Sequence, residues 1–200
     1  MAPRSPTHRY VDPLDQVWLC TAERVGLTVV RSDQVYAHSD AGVLHIGTAE
    51  TLDPDDCIAQ MVLHELCHAM VEGPQSLRLP DWGLDNTSPK DLVREHACLR
   101  LQASLAGGHG LRPFLAATTV FRRYYDALPQ DPLAPGDDPA ITLARAGAEV
   151  SKASPFFPHV EQALQATRTI LEASAGFLGS DPQGELPSMM HLAPPLAVGP

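Results

Sequence analysis

His64-Glu65-Leu66-Cys67-His68 lies inside a segment whose composition predicts a helix. Two histidines four residues apart on a helix lie on the same face, about 6 Å apart along the axis, so both imidazoles can reach one metal ion. Glu65 lies beside that position, where it can take a proton from a metal-bound water. The pattern predicts a metal site with His64 and His68 as ligands and Glu65 as the catalytic base.

The surroundings of the motif favour a helix that is packed inside a domain. The segment is apolar over most of its surface, and its polar residues form one stripe: Gln60, His64, His68 and Glu72, with Glu65 beside it. A stripe that simply faced water would usually carry Lys or Arg, and this one carries neither. Burying two histidines and a glutamate costs free energy unless a partner satisfies them, and a divalent cation is such a partner.

The motif in this context resembles the zincin metallopeptidases, in particular the gluzincin group. In those enzymes the motif helix follows a small sheet, and a second helix supplies a glutamate as the third ligand. The resemblance implies that Glu95, on the helix expected after Ser88-Pro89, completes a His-His-Glu site with a fourth position open for water. His96, Asp81 and Asp85 are the alternatives for the third ligand. Unlike gluzincins, the chain has no clear acidic partner after Glu95 at the usual spacing.

A second resemblance covers residues 63–83. This stretch has the spacing L-H-E-x-x-H-x4-G-x5-L-x-D-x-G, which is similar to the motif region of bacterial elongation factor P hydroxylases. Those proteins are thought to hold iron in a zincin-like fold and to oxidise a modified lysine of the elongation factor. The resemblance implies the same ligands with Fe²⁺ in place of Zn²⁺, because two histidines and one carboxylate suit ferrous iron.

The whole chain predicts an α+β fold: a small N-terminal antiparallel sheet packed on the motif helix, followed by a helical C-terminal half. Polar pairs between three β-prone runs indicate hairpins; the runs are 27–30, 34–38 and 42–46. The predicted helices are 11–25, 53–72 with Asp53 as N-cap, 88–105, 113–128, 141–153 and 158–175. We expect a flexible arm at 1–13, one zincin-like metal-binding domain at 14–175 and a Pro-rich flexible tail at 176–200.

Composition narrows the possible partners. A net charge of −10 with only 14 basic residues disfavours nucleic acid and anionic membranes. No apolar run is long enough to span a bilayer, and the N-terminus lacks the apolar core of a secretory signal. The four cysteines form no C-x-x-C pair, which is typical of reduced thiols. We therefore expect a cytoplasmic protein.

The leading functional prediction is a zinc-dependent hydrolase of the metallopeptidase type that acts on a peptide or protein substrate. The alternatives are an iron-dependent hydroxylase of the elongation factor P type and a catalytically silent metal-binding interaction protein. Five further residues are expected to have structural roles. We interpret His38 and His45 as half-exposed strand residues, Trp82 as a core anchor, and Cys67 and Cys98 as packing residues.

Overall fold

The structure is a computed structural model that describes residues 11–85 and 89–177. Its strands are β1 (Thr28–Ser32), β2 (Ala37–Asp40) and β3 (Val43–Gly47). Its α-helices are α1 (Pro13–Arg24), α2 (Ile58–Glu72), α3 (Leu92–Gly108), α4 (Arg122–Asp126), α5 (Ala140–Ala153) and α6 (Phe157–Ser174). Short 3-10 helices lie at Pro74–Arg78, Pro80–Gly83, Pro89–Asp91 and Ala175–Phe177. The predicted α+β class is confirmed, and the fold is mostly helical.

The sheet is mixed, with the strand order β1-β3-β2. β2 and β3 form an antiparallel hairpin, but β1 pairs parallel with β3, so the prediction of an antiparallel sheet is wrong for β1. The physical reason is burial: Leu44 and Ile46 of β3 are fully buried, whereas β1 has no fully buried residue. The most buried strand takes the centre, where it has a neighbour on each side.

The motif helix α2 begins later than the sequence predicted. Its N-cap is Cys57, whose Sγ accepts a hydrogen bond from the Gln60 N–H at 3.3 Å. Asp53, the predicted N-cap, lies in a turn instead, and its N–H donates to Asp56 Oδ2 at 2.8 Å. The acidic run therefore closes a turn before the helix. The predicted end at Glu72 is confirmed.

α2 is the central element of the core, since twelve of its fifteen residues are buried. It packs against α1, α3 and α5. The buried indole of Trp18 on α1 donates to Thr167 Oγ1 on α6 at 2.9 Å, which fastens the first helix to the last. Within the described residues, no helix combines the length and the apolar character that crossing a bilayer would require.

In the C-terminal half, some of the predicted helices are confirmed and one is not. α5 and α6 begin within one residue of their predicted starts. The predicted helix at 113–128 is wrong, because only α4 is α-helical there. Thr118 and Thr119 precede α4; Thr118 donates its hydroxyl to Asp56, and Thr119 Oγ1 accepts from the Phe121 N–H. Threonine side chains that bond in this way compete with helical backbone pairing.

Several predictions concern residues outside the described ranges. α3 replaces the predicted helix at 88–105 and is preceded by a 3-10 turn, while Ser88, its expected capping residue, lies outside the described residues. Most of the predicted arm (1–10) and most of the predicted tail (178–200) lie outside them too. Gly176 and Phe177, assigned to the tail, belong to the last 3-10 turn.

A buried arginine attaches the loop between α4 and α5 to α3. Arg100 is 6% exposed. It donates to the Tyr124 hydroxyl at 2.8 Å, to the Pro132 carbonyl at 2.6 Å and to Asp138 Oδ2 at 2.8 Å. Tyr124 donates its own proton to the same Asp138 oxygen at 2.8 Å. A buried guanidinium requires such a complete set of acceptors.

We expect Asp138→Asn to weaken the pH dependence of stability in acid. Burial raises the pKa of Asp138, but hydrogen bonds from Arg100, the Ala140 N–H and Tyr124 outweigh it and lower the pKa to about 2. The folded pKa lies below the ordinary value, so the stabilisation is complete above about pH 4 and is lost as the pH falls to about 2. Urea unfolding at a series of pH values measures this. Asp126→Asn, at an exposed pair with Arg122, is the control; equal curves for wild type and Asp138→Asn would contradict the prediction.

Gly147→Ala should separate α5 from the motif helix. An added Cβ would lie 2.9 Å from Val71 Cγ2 and 3.2 Å from Val71 Cα. We expect this overpacking to lower the free energy of unfolding by about 1–3 kcal/mol. Gly107→Ala in α3 is the matched control, because no atom lies within 4 Å of its added Cβ; it should raise stability by up to about 1 kcal/mol. Equal effects in chemical denaturation would show that the α2–α5 approach is not tight.

Candidate metal centre

Three side chains from two helices converge in the core. His64 and His68 lie on α2, and Glu95 lies in the first turn of α3. The two histidine Nε2 atoms are 3.1 Å apart. Glu95 Oε1 is 3.2 Å from His64 Nε2, and Oε2 is 3.3 Å from His68 Nε2. The structure thus brings together the three residues that the sequence predicted as ligands.

The spacing of these atoms fits a tetrahedral metal site. Zinc bonds of about 2.0–2.1 Å at tetrahedral angles place neighbouring donor atoms about 3.3 Å apart. The two Nε2 atoms are 3.1 Å apart, and each lies 3.2–3.3 Å from a different oxygen of Glu95, so all three separations are close to that edge length. One ligand atom from each residue lies within 4.8 Å of the other two, so the cluster could hold a metal ion. A tetrahedral ion here would keep one position open.

Burial and charge both favour a cation at this cluster. Burial lowers the pKa of His64, but the charge of Glu95 and its hydrogen bond outweigh that effect and raise the pKa to about 9. Burial raises the pKa of Glu95, yet the two histidines outweigh it and hold the pKa far below its ordinary value. Glu95 Oε1 is buried, and beyond His64 Nε2 at 3.2 Å it has no hydrogen-bond partner among the described residues. An ionised carboxylate that faces two imidazoles and has no other donor to Oε1 is a strong cation ligand.

A second layer of hydrogen bonds orients both imidazoles. His64 Nδ1 donates to Gln102 Oε1 at 2.9 Å, and Gln102 Nε2 in turn donates to the Leu115 carbonyl at 2.7 Å. His68 Nδ1 lies 3.0 Å from Cys98 Sγ. Burial raises the pKa of Cys98 well above its ordinary value, so the sulfur remains a thiol. Bonds at Nδ1 direct both Nε2 atoms toward Glu95, as in many metal sites.

The sequence interpretation missed these supporting residues. Gln102 was not singled out, and Cys98 was taken for a packing residue, although it contacts His68. A signal was present: Glu95, Cys98 and Gln102 follow the i, i+3, i+7 spacing that places side chains along one face of a helix. Cys67 is fully buried in the hydrophobic core, as predicted.

Glu65 lies beside the cluster and is held by Trp82. Its side chain is buried, and Oε2 accepts a hydrogen bond from Trp82 Nε1 at 2.6 Å. The Trp82 ring also stacks on His68, with ring centroids 6.4 Å apart and planes 11° apart. Trp82 is the buried anchor that the sequence predicted, but it additionally orients the catalytic candidate.

The three alternative ligands lie outside the cluster. Asp81 accepts a hydrogen bond from His38 Nδ1 at 2.7 Å. The His96 ring stacks on Tyr124, with centroids 3.6 Å apart. Asp85 lines the cavity beside the cluster, and its N–H donates to an Asp91 carboxylate oxygen at 2.9 Å. Over residues 11–85 and 89–177, the metal-compatible cluster contains none of these three residues.

A cavity of about 220 Å³ opens onto the cluster. Its lining includes the three cluster residues together with Glu65 and Trp82. Other parts of the wall come from α2 and α3, the sheet edge, the 3-10 turn at Pro80–Gly83 and the segment before α4. The cluster is therefore accessible to a small group that enters from this side.

Comparison of the chain with protein-family models, curated proteins and solved structures gave no match. The class of site therefore rests on its geometry: a shielded two-histidine, one-carboxylate cluster with an adjoining cavity.

We expect the protein to bind one equivalent of Zn²⁺, and Glu95→Gln to weaken binding by at least about 100-fold, because loss of a ligand should cost no less than loss of its hydrogen-bond support. Competition with a chromogenic chelator measures the affinity. His96→Gln, one residue further on, is the matched control and should bind zinc like wild type, since its ring faces Tyr124. An equal loss in both variants would place the third ligand elsewhere.

Proposed function

We propose that this protein is a metal-dependent hydrolase of the zincin type, which cleaves an amide bond in a peptide or protein. His64, His68 and Glu95 would hold the metal, and Glu65 would act as the general base. The observation that carries the proposal is the set of donor-atom separations of 3.1–3.3 Å with a carboxylate beside it. Zinc is the proposed metal because three ligands at these spacings leave the open position of a catalytic zinc site.

The order of elements supports the zincin assignment. A small sheet precedes the motif helix, and the next long helix supplies the carboxylate. The resemblance to gluzincins implied this order. The chain's four cysteines are all free thiols, which agrees with the proposal of a cytoplasmic enzyme acting on an intracellular peptide or protein.

The residues around the cavity have distinct tasks in hydrolysis. Bound zinc would lower the pKa of a water molecule toward 7 and polarise the substrate carbonyl. Glu65 takes the proton from that water. Trp82 occupies Oε2 of Glu65, so Oε1 is the oxygen that receives it. The indole thereby fixes the orientation of the base before the substrate binds.

Glu65→Gln should abolish hydrolysis while the metal stays bound. Loss of a general base lowers kcat by about 10²–10⁴-fold, and the amide keeps the shape of the carboxylate. The assay is cleavage of a library of internally quenched peptides by zinc-loaded protein, with zinc content measured in parallel. Glu72→Gln, on the same helix but paired with Arg94, is the control and should keep full activity. Wild-type rates in Glu65→Gln would exclude Glu65 as the base.

A second candidate is an iron-dependent hydroxylase of the elongation factor P type. The observation in its favour is that Asp81, one of the residues that carry the second resemblance, lines the cavity beside the cluster and accepts a hydrogen bond from His38. Metal analysis of protein purified without added metal separates the two. Near-stoichiometric zinc with peptide cleavage supports the hydrolase. Iron with oxygen-dependent oxidation of a peptide supports the hydroxylase, in which Glu65→Gln would only weaken activity.

A further inference from the structure

The 3-10 turn at Pro80–Gly83 contains two strained residues. Asp81 has φ 45° and ψ 41°, and Trp82 has φ 59° and ψ 13°, so both adopt the left-handed conformation that non-glycine residues avoid. The Trp82 N–H donates to the buried Ser39 Oγ at 3.2 Å, which holds the turn against β2. Such strain persists where the surrounding structure enforces it, and it is enriched at functional sites.

The strained pair directs two neighbouring side chains to two different partners. Trp82 binds Glu65 Oε2 at 2.6 Å, and Asp81 binds His38 Nδ1 at 2.7 Å. The Ser39 N–H also points to the same Asp81 oxygen, at 3.4 Å. Because consecutive Cα atoms are only 3.8 Å apart, one dipeptide fixes where Glu65 and His38 stand relative to each other.

The hydrogen bond to Asp81 determines the chemistry of His38. An ionised carboxylate only accepts hydrogen bonds, so Nδ1 carries a proton and Nε2 is the nitrogen left for exchange. His38 and Asp81 both line the cavity, and their side chains are 36% and 29% exposed. His38 lies outside the metal-compatible cluster, so its nitrogen is not needed as a ligand.

We propose that His38 is a second catalytic residue of the site, the general acid that protonates the leaving group, and that Asp81 is its positioning residue. This inference rests on the proposed amide hydrolysis. His38, oriented by Asp81, would then donate one proton, and Glu65, oriented by Trp82, would accept the other. Two titratable groups in different environments commonly take opposite roles in this way.

Amide hydrolysis at this site requires two proton transfers, one at Glu65 and one at His38. Glu65 takes one proton from water while the water oxygen bonds to the carbonyl carbon. The carbon–nitrogen bond then breaks, and the amine nitrogen takes a proton from Nε2 of the charged His38. The products are a carboxylic acid and an amine. Glu65 releases its proton to solvent, and His38 regains one, while Nδ1–H stays on Asp81.

His38→Gln tests the assignment through the leaving group. An amide needs protonation of its nitrogen, whereas a p-nitrophenyl ester releases a stable anion without an acid. We expect the variant to lose about 100-fold in kcat on the best-cleaved library peptide, with the p-nitrophenyl ester of the same acyl half hydrolysed at the wild-type rate. His45→Gln is the matched control: its ring lies 6.1 Å from that of His38 on the paired strand but does not line the cavity. It should leave both rates unchanged.

The variant Asp81→Asn tests whether Asp81 positions His38. It should lower kcat on the peptide by about tenfold with KM, zinc content and ester hydrolysis unchanged, since the ring is present but less well oriented. Equal losses on peptide and ester, or no loss on either, in the His38→Gln variant of an active enzyme would overturn the role of His38 alone. Zinc-loaded wild-type protein that hydrolyses neither substrate would overturn the proposed function and this role together.

Discussion

The contact between α2 and α3 places two imidazoles and one carboxylate out of water, and much of the structure serves to compensate that cost. Transfer of a charged carboxylate into the interior is unfavourable unless opposite charge and hydrogen bonds replace its hydration. Here the compensation is built from adjacent turns of the same two helices. Glu95 faces the histidines, while Gln102 and Cys98 bind the outer nitrogens of the rings. The rest of the fold keeps these helices in register.

Stability alone does not account for the cluster of His64, His68 and Glu95. Buried ion pairs often contribute nothing net when compared with well-packed apolar residues of the same size. Apart from His64, no described residue donates to Glu95 Oε1, so that buried oxygen depends on a single imidazole. A bound cation would supply a further partner, and it would stabilise the folded chain by an amount that grows with the logarithm of its concentration relative to Kd. The grouping of these three side chains therefore supports the proposed cation site over a purely structural network.

Periodicity made the central part of the site predictable from the sequence. The four-residue spacing of His64 and His68 fixes their common face, and the apolar surroundings indicate that this face is buried. The predictions failed where local hydrogen bonds or burial compete with the pattern, because the pattern does not encode that competition. Asp53 has the chemistry of an N-cap, but Asp56 holds it in a turn. β1 pairs parallel with β3 because burial, and not chain order, decides which strand is central. The roles of Trp82 and His38 depend on contacts between distant segments.

The turn at Pro80–Gly83 connects Glu65 on one side of the cavity with His38 on the other. Backbone strain at Asp81 and Trp82 is compensated by contacts on both sides: Ser39 holds the backbone, Glu65 accepts the indole proton, and His38 donates to the carboxylate. A relaxed turn would release the strain but would also let Glu65 and His38 move independently. Orientation of reacting groups before binding lowers the entropic cost of reaching the transition state. The strained dipeptide therefore keeps Glu65 and His38, the proposed base and the proposed acid, in position around one cavity.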